Sequence, residues 1–172
     1  SQYSLLDGAI KFDELFDEVE KQGMSSVALT DHGNLFGAYD FYKKAKDKGI
    51  KPIVGCELYI AKDHLNKSSE NNKTHHLTVL AKNLQGYENL CSLVSIGHLK
   101  GFYRKPRIDR KLLFEYSDGL IVLSGCLNGE VCHNILKGRK DEAIKIAAEY
   151  KNILGDRYFI EIQGTCLKEQ VR

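Results

Sequence analysis

A short apolar run, Val27-Ala28-Leu29-Thr30, stops abruptly in Asp31-His32-Gly33. It reads as a buried strand that delivers an acid and an imidazole at its carboxyl end, where α/β folds place their chemistry. The same grammar recurs in Ile53-Val54-Gly55-Cys56-Glu57 and in Leu120-Ile121-Val122-Leu123-Ser124-Gly125-Cys126. With Asp7 at a glycine turn and His75-His76 beside the run Leu77–Ala81, the polar residues at strand ends and turns are Asp7, Asp31, His32, Glu57, His75, His76 and Cys126. All are metal-binding types. Imidazole, carboxylate and thiolate together suit zinc, manganese or iron, and bridging carboxylates can hold ions a few Å apart, as in multi-metal phosphoryl-transfer sites. Such a cluster would ionise a water and stabilise charge on a phosphodiester.

Each residue alone has a plainer explanation. Asp31-His32-Gly33 can be a capped turn, Glu57 an exposed position on an edge strand, Cys126 an inert buried thiol, and Asp7 a cap for the first helix. His75 and His76 precede a strand instead of following one, which counts against them in a site at carboxyl ends. The joint occurrence favours a site. A basic aromatic stretch, Tyr103-Arg104-Lys105-Pro106-Arg107, has the mixture that holds a phosphate backbone and stacks a base, and a solvated loop explains it equally well. Gly23, Gly49 and Gly55 stand singly and form no phosphate-cradling fingerprint.

The elements that must carry these residues follow from periodicity. Phe12, Leu15, Phe16 and Val19 predict an amphipathic helix between Asp7-Gly8 and Gly23, with Asp13 and Glu14 in its first turn. Phe36, Tyr39, Tyr42 and Ala45 predict a second, closed by Lys48-Gly49, and a strand follows from about Lys51 to Ile60. The polar segment 62–73 reads as a surface loop. Leu77–Ala81 is the next strand, then a helix through Leu84, Tyr87, Leu90, Leu93 and Val94, a strand at Leu120–Leu123, helices around Val131–Leu136 and Ala143–Leu154, and a strand at Tyr158–Ile162. Alternation of this kind predicts an α/β fold with parallel strands and covering helices, as an open sheet or a barrel.

At 172 residues and 42% hydrophobic content the chain can bury one sizeable core, and its net charge of +2 gives no electrostatic signature of a dedicated nucleic-acid module. No apolar run is long enough for a membrane span and the amino terminus lacks signal-peptide order, so the expected location is cytoplasmic, with no membrane partner. Cys56, Cys91, Cys126, Cys132 and Cys166 are odd in number and include no CxxC pair. Reduced thiols are expected.

Several segments together resemble the polymerase and histidinol phosphatase (PHP) domain family, as found at the amino terminus of bacterial replicative DNA polymerase III alpha subunits. They are Tyr3-Ser4-Leu5-Leu6-Asp7-Gly8-Ala9, Leu29 to Gly37, Gly49 to Glu57, His76 to Asn83, Gly86-Tyr87-Glu88-Asn89-Leu90 and Leu123-Ser124-Gly125-Cys126, in family order. The resemblance implies a distorted (β/α)7 barrel, incomplete in this chain, with up to three divalent ions at its strand ends. Carried over by position, the ligands would be Asp7, His32, Glu57, His76 and Cys126. Asp31 would orient His32 from outside the coordination sphere, with His75 also outside it. The family's opening His-x-His and later Asp-x-His motifs fall outside residues 1–172, so the chain resembles an internal piece of the domain, expected to be aggregation-prone if expressed alone. The resemblance further implies that the parent protein is a DNA-directed DNA polymerase. Its partners would be primer-template DNA, an exonuclease subunit, a sliding clamp and a clamp loader, with polymerase domains following this one. For the domain itself it implies a metal-dependent phosphoesterase or 3′ to 5′ proofreading exonuclease. The alternatives are a metal-stabilised platform for a separate exonuclease subunit and a phosphatase of the histidinol phosphate type.

Overall fold

The computed structural model describes residues 1–164. Cys166 lies outside them, and the other four cysteines are free thiols. The helices are α1 (Phe12–Lys21), α2 (Ala38–Asp47), α3 (Leu84–Leu99), α4 (Arg110–Glu115), α5 (Glu130–Leu136) and α6 (Lys140–Leu154). The strands are β1 (Ser26–Leu29), β2 (Lys51–Ala61), β3 (Thr74–Ala81), β4 (Arg107–Ile108), β5 (Leu120–Leu123) and β6 (Tyr158–Phe159). The last is shorter than the expected Tyr158–Ile162, and α4 was not signalled by periodicity. Asp109 starts α4 by accepting the Leu112 N–H, as Asn83 starts α3 by accepting that of Gly86. Caps of this kind stabilise a helix by about 1 kcal/mol each.

One six-stranded sheet runs β1-β2-β3-β5-β6, with β4 added to β2. The long β2 organises it. One of its edges takes β1 in parallel along residues 51–54, an isolated bridge from His32 at Glu57, and β4 at Tyr59 and Ile60. Its other edge pairs β3 antiparallel, Glu57 opposite Thr78 and Tyr59 opposite His76. β3 is also antiparallel to β5. The expectation of parallel strands throughout is therefore corrected. The polar segment 62–73 returns the chain without a covering helix, and a return that lacks such a crossover favours antiparallel pairing. The result is α/β, an incomplete distorted barrel.

Two clusters hold it. Phe12, Phe16 and Val19 of α1 and Phe41 and Ala45 of α2 close over Leu29 and Ile50. Phe41 packs edge-on against Phe12 and tilted against Phe16 at centroid distances of 5.6 and 5.4 Å, contacts that stabilise by roughly 0.5–1.5 kcal/mol per pair beyond burial. The larger cluster joins β2, β3 and β5 to α3, α4 and α6 through Leu58, Leu77, Val79, Leu90, Leu113, Val122 and Tyr150. No helix among the described residues is long and apolar enough to cross a membrane.

Candidate metal centre

Glu57 is the hub. It points from β2 between two imidazoles: its Oε1 lies 2.7 Å from His76 Nδ1 and its Oε2 against His32 Nδ1. On its other side, His32 Nε2 lies 2.5 Å from Asp7 Oδ2. Cys126 Sγ is 3.8 Å from His76 Nδ1. The side chains of Asp7, His32, Glu57, His76 and Cys126 thus form one chain of contacts drawn from distant parts of the sequence.

The antiparallel course of β3 explains how His76 joins them. Its amino end lies beside the carboxyl portion of β2 and the loop after β5, so a residue at the start of β3 reaches the same rim as residues after β1 and β5. The objection from strand polarity dissolves with the assumption of parallel strands.

Glycines set two of the turns. Gly33, at φ +61°, follows His32, and a Cβ there would come within 2.7 Å of Pro106 Cγ. Gly125, at φ +79°, precedes Cys126, and a Cβ would approach the His76 carbonyl oxygen to 2.5 Å. Replacing Gly125 by Ala should therefore push the Cys126 turn away from β3 and weaken metal retention. Elemental analysis at equal protein concentration checks this, and unchanged metal content would refute it.

Asp31 is buried, and its carboxylate does not touch the His32 ring. It accepts hydrogen bonds from Ser4 Oγ at 2.7 Å and Ser1 Oγ at 2.8 Å, while Ser4 Oγ accepts the His32 backbone N–H at 3.0 Å. Asp31 therefore acts on His32 through Ser4 and secures the segment that carries Asp7. The ring itself is oriented by Asp7 and Glu57. His98 of α3, which the sequence did not single out, bonds the Gly33 carbonyl at 2.8 Å and steadies the same turn. His75 faces away from Glu57: its Nδ1 bonds the Asn128 carbonyl at 3.0 Å and its ring packs on His133.

The electrostatics fit a cation-binding donor set. Burial works to lower the His32 pKa, but bonding to Asp7 and the charges of Glu57 and Asp7 outweigh it and raise it. Burial works to raise that of Glu57, and His76 and His32 together hold it below the usual carboxylate range. Asp7 is lowered by its bond to His32. His32 Nδ1 is buried and has no hydrogen-bond partner despite its approach to Glu57.

The basic loop behaves differently from the sequence reading. Arg107 is fully buried, so it is not a nucleic-acid contact. Its guanidinium donates to the carbonyls of Gly101 (3.0 Å), Asn71 (2.9 Å), Asn66 (3.1 Å) and His64 (3.4 Å). Tyr103 is half-buried, its ring 5.8 Å from the Arg104 guanidinium and 5.3 Å from that of Arg107. Lys105 lies over Tyr59 at 4.3 Å. Arg104 and Lys105 remain exposed. Among the described residues, the group whose donor atoms all lie within 4.8 Å of one another is Asp63, His64 and Asp109, which the sequence did not single out, whereas the contacts running from Asp7 to Cys126 extend over a longer span. The lone pairs of the Asp63–His64–Asp109 group already serve the fold: Asp109 caps α4 and bonds the His64 N–H and ring, and Asp63 accepts the Leu65 N–H.

Residues 1–165 match the family model described as PHP domain. DNA polymerase III alpha subunits are close relatives: 49% identical in Helicobacter pylori over 99% of this chain, 47% in Borreliella burgdorferi and 48% in Thermus aquaticus, each over 99% of it. The chain spans 14–15% of the length of those relatives.

Proposed function

The chain belongs to the PHP domain family, and from that premise we propose that it is the metal-dependent phosphoesterase region, acting as a 3′ to 5′ proofreading exonuclease, of a DNA polymerase III alpha subunit. The observation that carries this reading is Glu57 held between His32 and His76, with Asp7 beside His32 and Cys126 beside His76. Those five side chains would hold divalent ions, zinc, manganese or iron. Bound there, the ions supply a water of lowered pKa and charge neutralisation at a phosphodiester. Glu57 aligns both imidazoles, Ser4 and Asp31 fix the His32 backbone, and Asp7 sets the outer nitrogen of His32.

In the parent protein we assign template-directed DNA synthesis on primer-template DNA, in a cytoplasmic replicase with an exonuclease subunit, sliding clamp and clamp loader. No polymerase catalytic residue is assigned within this chain. The family relationship to DNA polymerases favours a polynucleotide over a histidinol phosphate substrate. The rival reading, a metal-stabilised platform for the exonuclease subunit, uses the same ligands. Metal content of the full-length protein, measured alongside release of a mismatched 3′ nucleotide, separates them. Metal with metal-dependent release supports the nuclease, metal without release supports the platform, and absence of metal sinks both.

The raised pKa of His32 fixes the pH dependence. Before metal binds, the proton on His32 is stabilised by Asp7 and Glu57. That stabilisation is fully present below the ordinary histidine pKa of about 6.5 and fades as pH rises through the higher folded-state value. A metal ion on His32 must displace this proton, whereas Glu57 and Asp7, both lowered, are already ionised. Metal affinity should therefore climb with pH through the folded-state pKa of His32 and then flatten. Calorimetry in buffers of different ionisation enthalpy should record a proton released per His32 ligated below that pKa and less above it. Affinity that is flat across this range would refute the assignment of His32.

A further inference from the structure

The face of β3 turned away from the metal centre carries an uncompensated group of cations. Lys73 Nζ lies 2.6 Å from His133 Nε2, and the His133 and His75 rings are 5.1 Å apart. Burial and the surrounding Lys73, His75, Arg139 and Lys137 all push the His133 pKa down, with no acidic neighbour opposing them. Among the described residues, no carboxylate lies within ion-pair distance of Lys62, Lys73, Lys137 or Arg139. This is a local property, since Lys44 and Lys48 on and just after α2 are paired with Asp13, Asp17 and Glu20. Glu130, a half-buried carboxylate nearby, is taken by the Tyr150 hydroxyl at 2.6 Å and by Arg110. Asp141 and Glu142 on the first turn of α6 make no ion pair with these cations. Lys62, His75, His133 and Arg139, together with Glu130, Asp141 and Glu142, line an open cleft of about 900 Å³ that includes the start of α6, whose first turn has no side-chain cap, and Lys73 lines the adjoining cleft with Lys62 and His75.

Gathering ammonium and guanidinium groups around imidazoles kept neutral costs Coulomb energy that an anion recovers, and the amino end of a long helix adds N–H donors and a favourable dipole. We propose that Lys73, His75, His133 and Arg139, with the amino end of α6, bind the phosphates of a single-stranded nucleic acid. This rests on the nuclease reading for the identity of the anion. His75 and His76 are consecutive on β3 and face opposite sides, so a strand lying in the cleft crosses only the rim of β3 to reach Glu57. The contacts are to phosphate and carry no sequence preference.

Amine-reactive labelling of the full-length protein, read by peptide mass spectrometry in the presence of a metal chelator, tests this without requiring metal or turnover. Oligothymidylate should protect Lys73 several-fold while leaving exposed Lys46 unchanged. With two phosphates engaged, the affinity that governs protection should fall about sevenfold between 50 and 200 mM salt. Arg139→Glu should restore Lys73 labelling in the presence of the oligonucleotide. Protection by inorganic phosphate alone, or by neither probe, overturns the proposal. Failure of the metal reading would appear as absent metal or turnover and leave these labelling results intact.

Discussion

Replacing Glu57 by Gln is expected to lower metal-dependent phosphodiester hydrolysis by the full-length protein at least about a hundredfold and to strip the centre of metal. The substitution keeps the shape of the side chain and removes its charge. Glu57 faces one imidazole with each oxygen, so an amide must turn its NH₂ toward one of them and place a donor where a carboxylate oxygen stood. It also brings no negative charge to a cation. Turnover assays with elemental analysis read both consequences, and DNA synthesis by the same preparation reports whether the protein is otherwise intact. If the Glu57→Gln variant retained metal and activity, the centre would have to lie elsewhere. Asp63→Asn then provides the discriminating comparison, because it removes a donor of the Asp63–His64–Asp109 group without touching the α4 cap. Loss of metal from that variant alone would move the site.

How much of this was legible in the sequence depended on whether the controlling contacts were local. The side chains that meet around Glu57 were legible because strands that end in polar residues announce themselves by composition, and α1, α2 and α3 because their apolar spacing repeats every turn. Strand direction was not, because alternation along a strand is the same read either way. The missing helix in segment 62–73 was the one available sign that β3 reverses, and from it the placement of His76 follows. The start of α4 was also open to reading, since Asp109 precedes a run of good helix formers. For β5, antiparallel to β3 despite two intervening helices, no comparable local sign exists. The role of Asp31 could not be read either, because it works through a hydroxyl 27 residues away in sequence.

Arg107 was the most misleading residue, and its substitution carries the other large effect. A lone arginine in a basic aromatic loop resembles a phosphate contact, yet its guanidinium is fully buried among the carbonyls of residues 64, 66, 71 and 101. Carbonyls scattered over two loops leave no sequence signature. Arginine suits the position because its planar fork offers several fixed donors and keeps its charge when buried. Arg107→Ala would leave these carbonyls short of donors and detach segment 62–73 from the loop before β4. Leaving several buried carbonyls without donors costs up to about 1–3 kcal/mol each, and a net loss of about 3–5 kcal/mol lowers the melting temperature of a domain of this size by roughly 10 °C. Limited proteolysis should show new cleavage within 62–73 before the rest of the domain is cut. Arg107→Lys should recover only part of the loss, because a point charge cannot span the same acceptors. A phosphate-binding arginine would behave in the opposite way, with stability unchanged and DNA affinity and its salt dependence reduced. A melting temperature within a few degrees of the parent, together with weakened DNA binding, would return Arg107 to the surface role that its neighbours suggested.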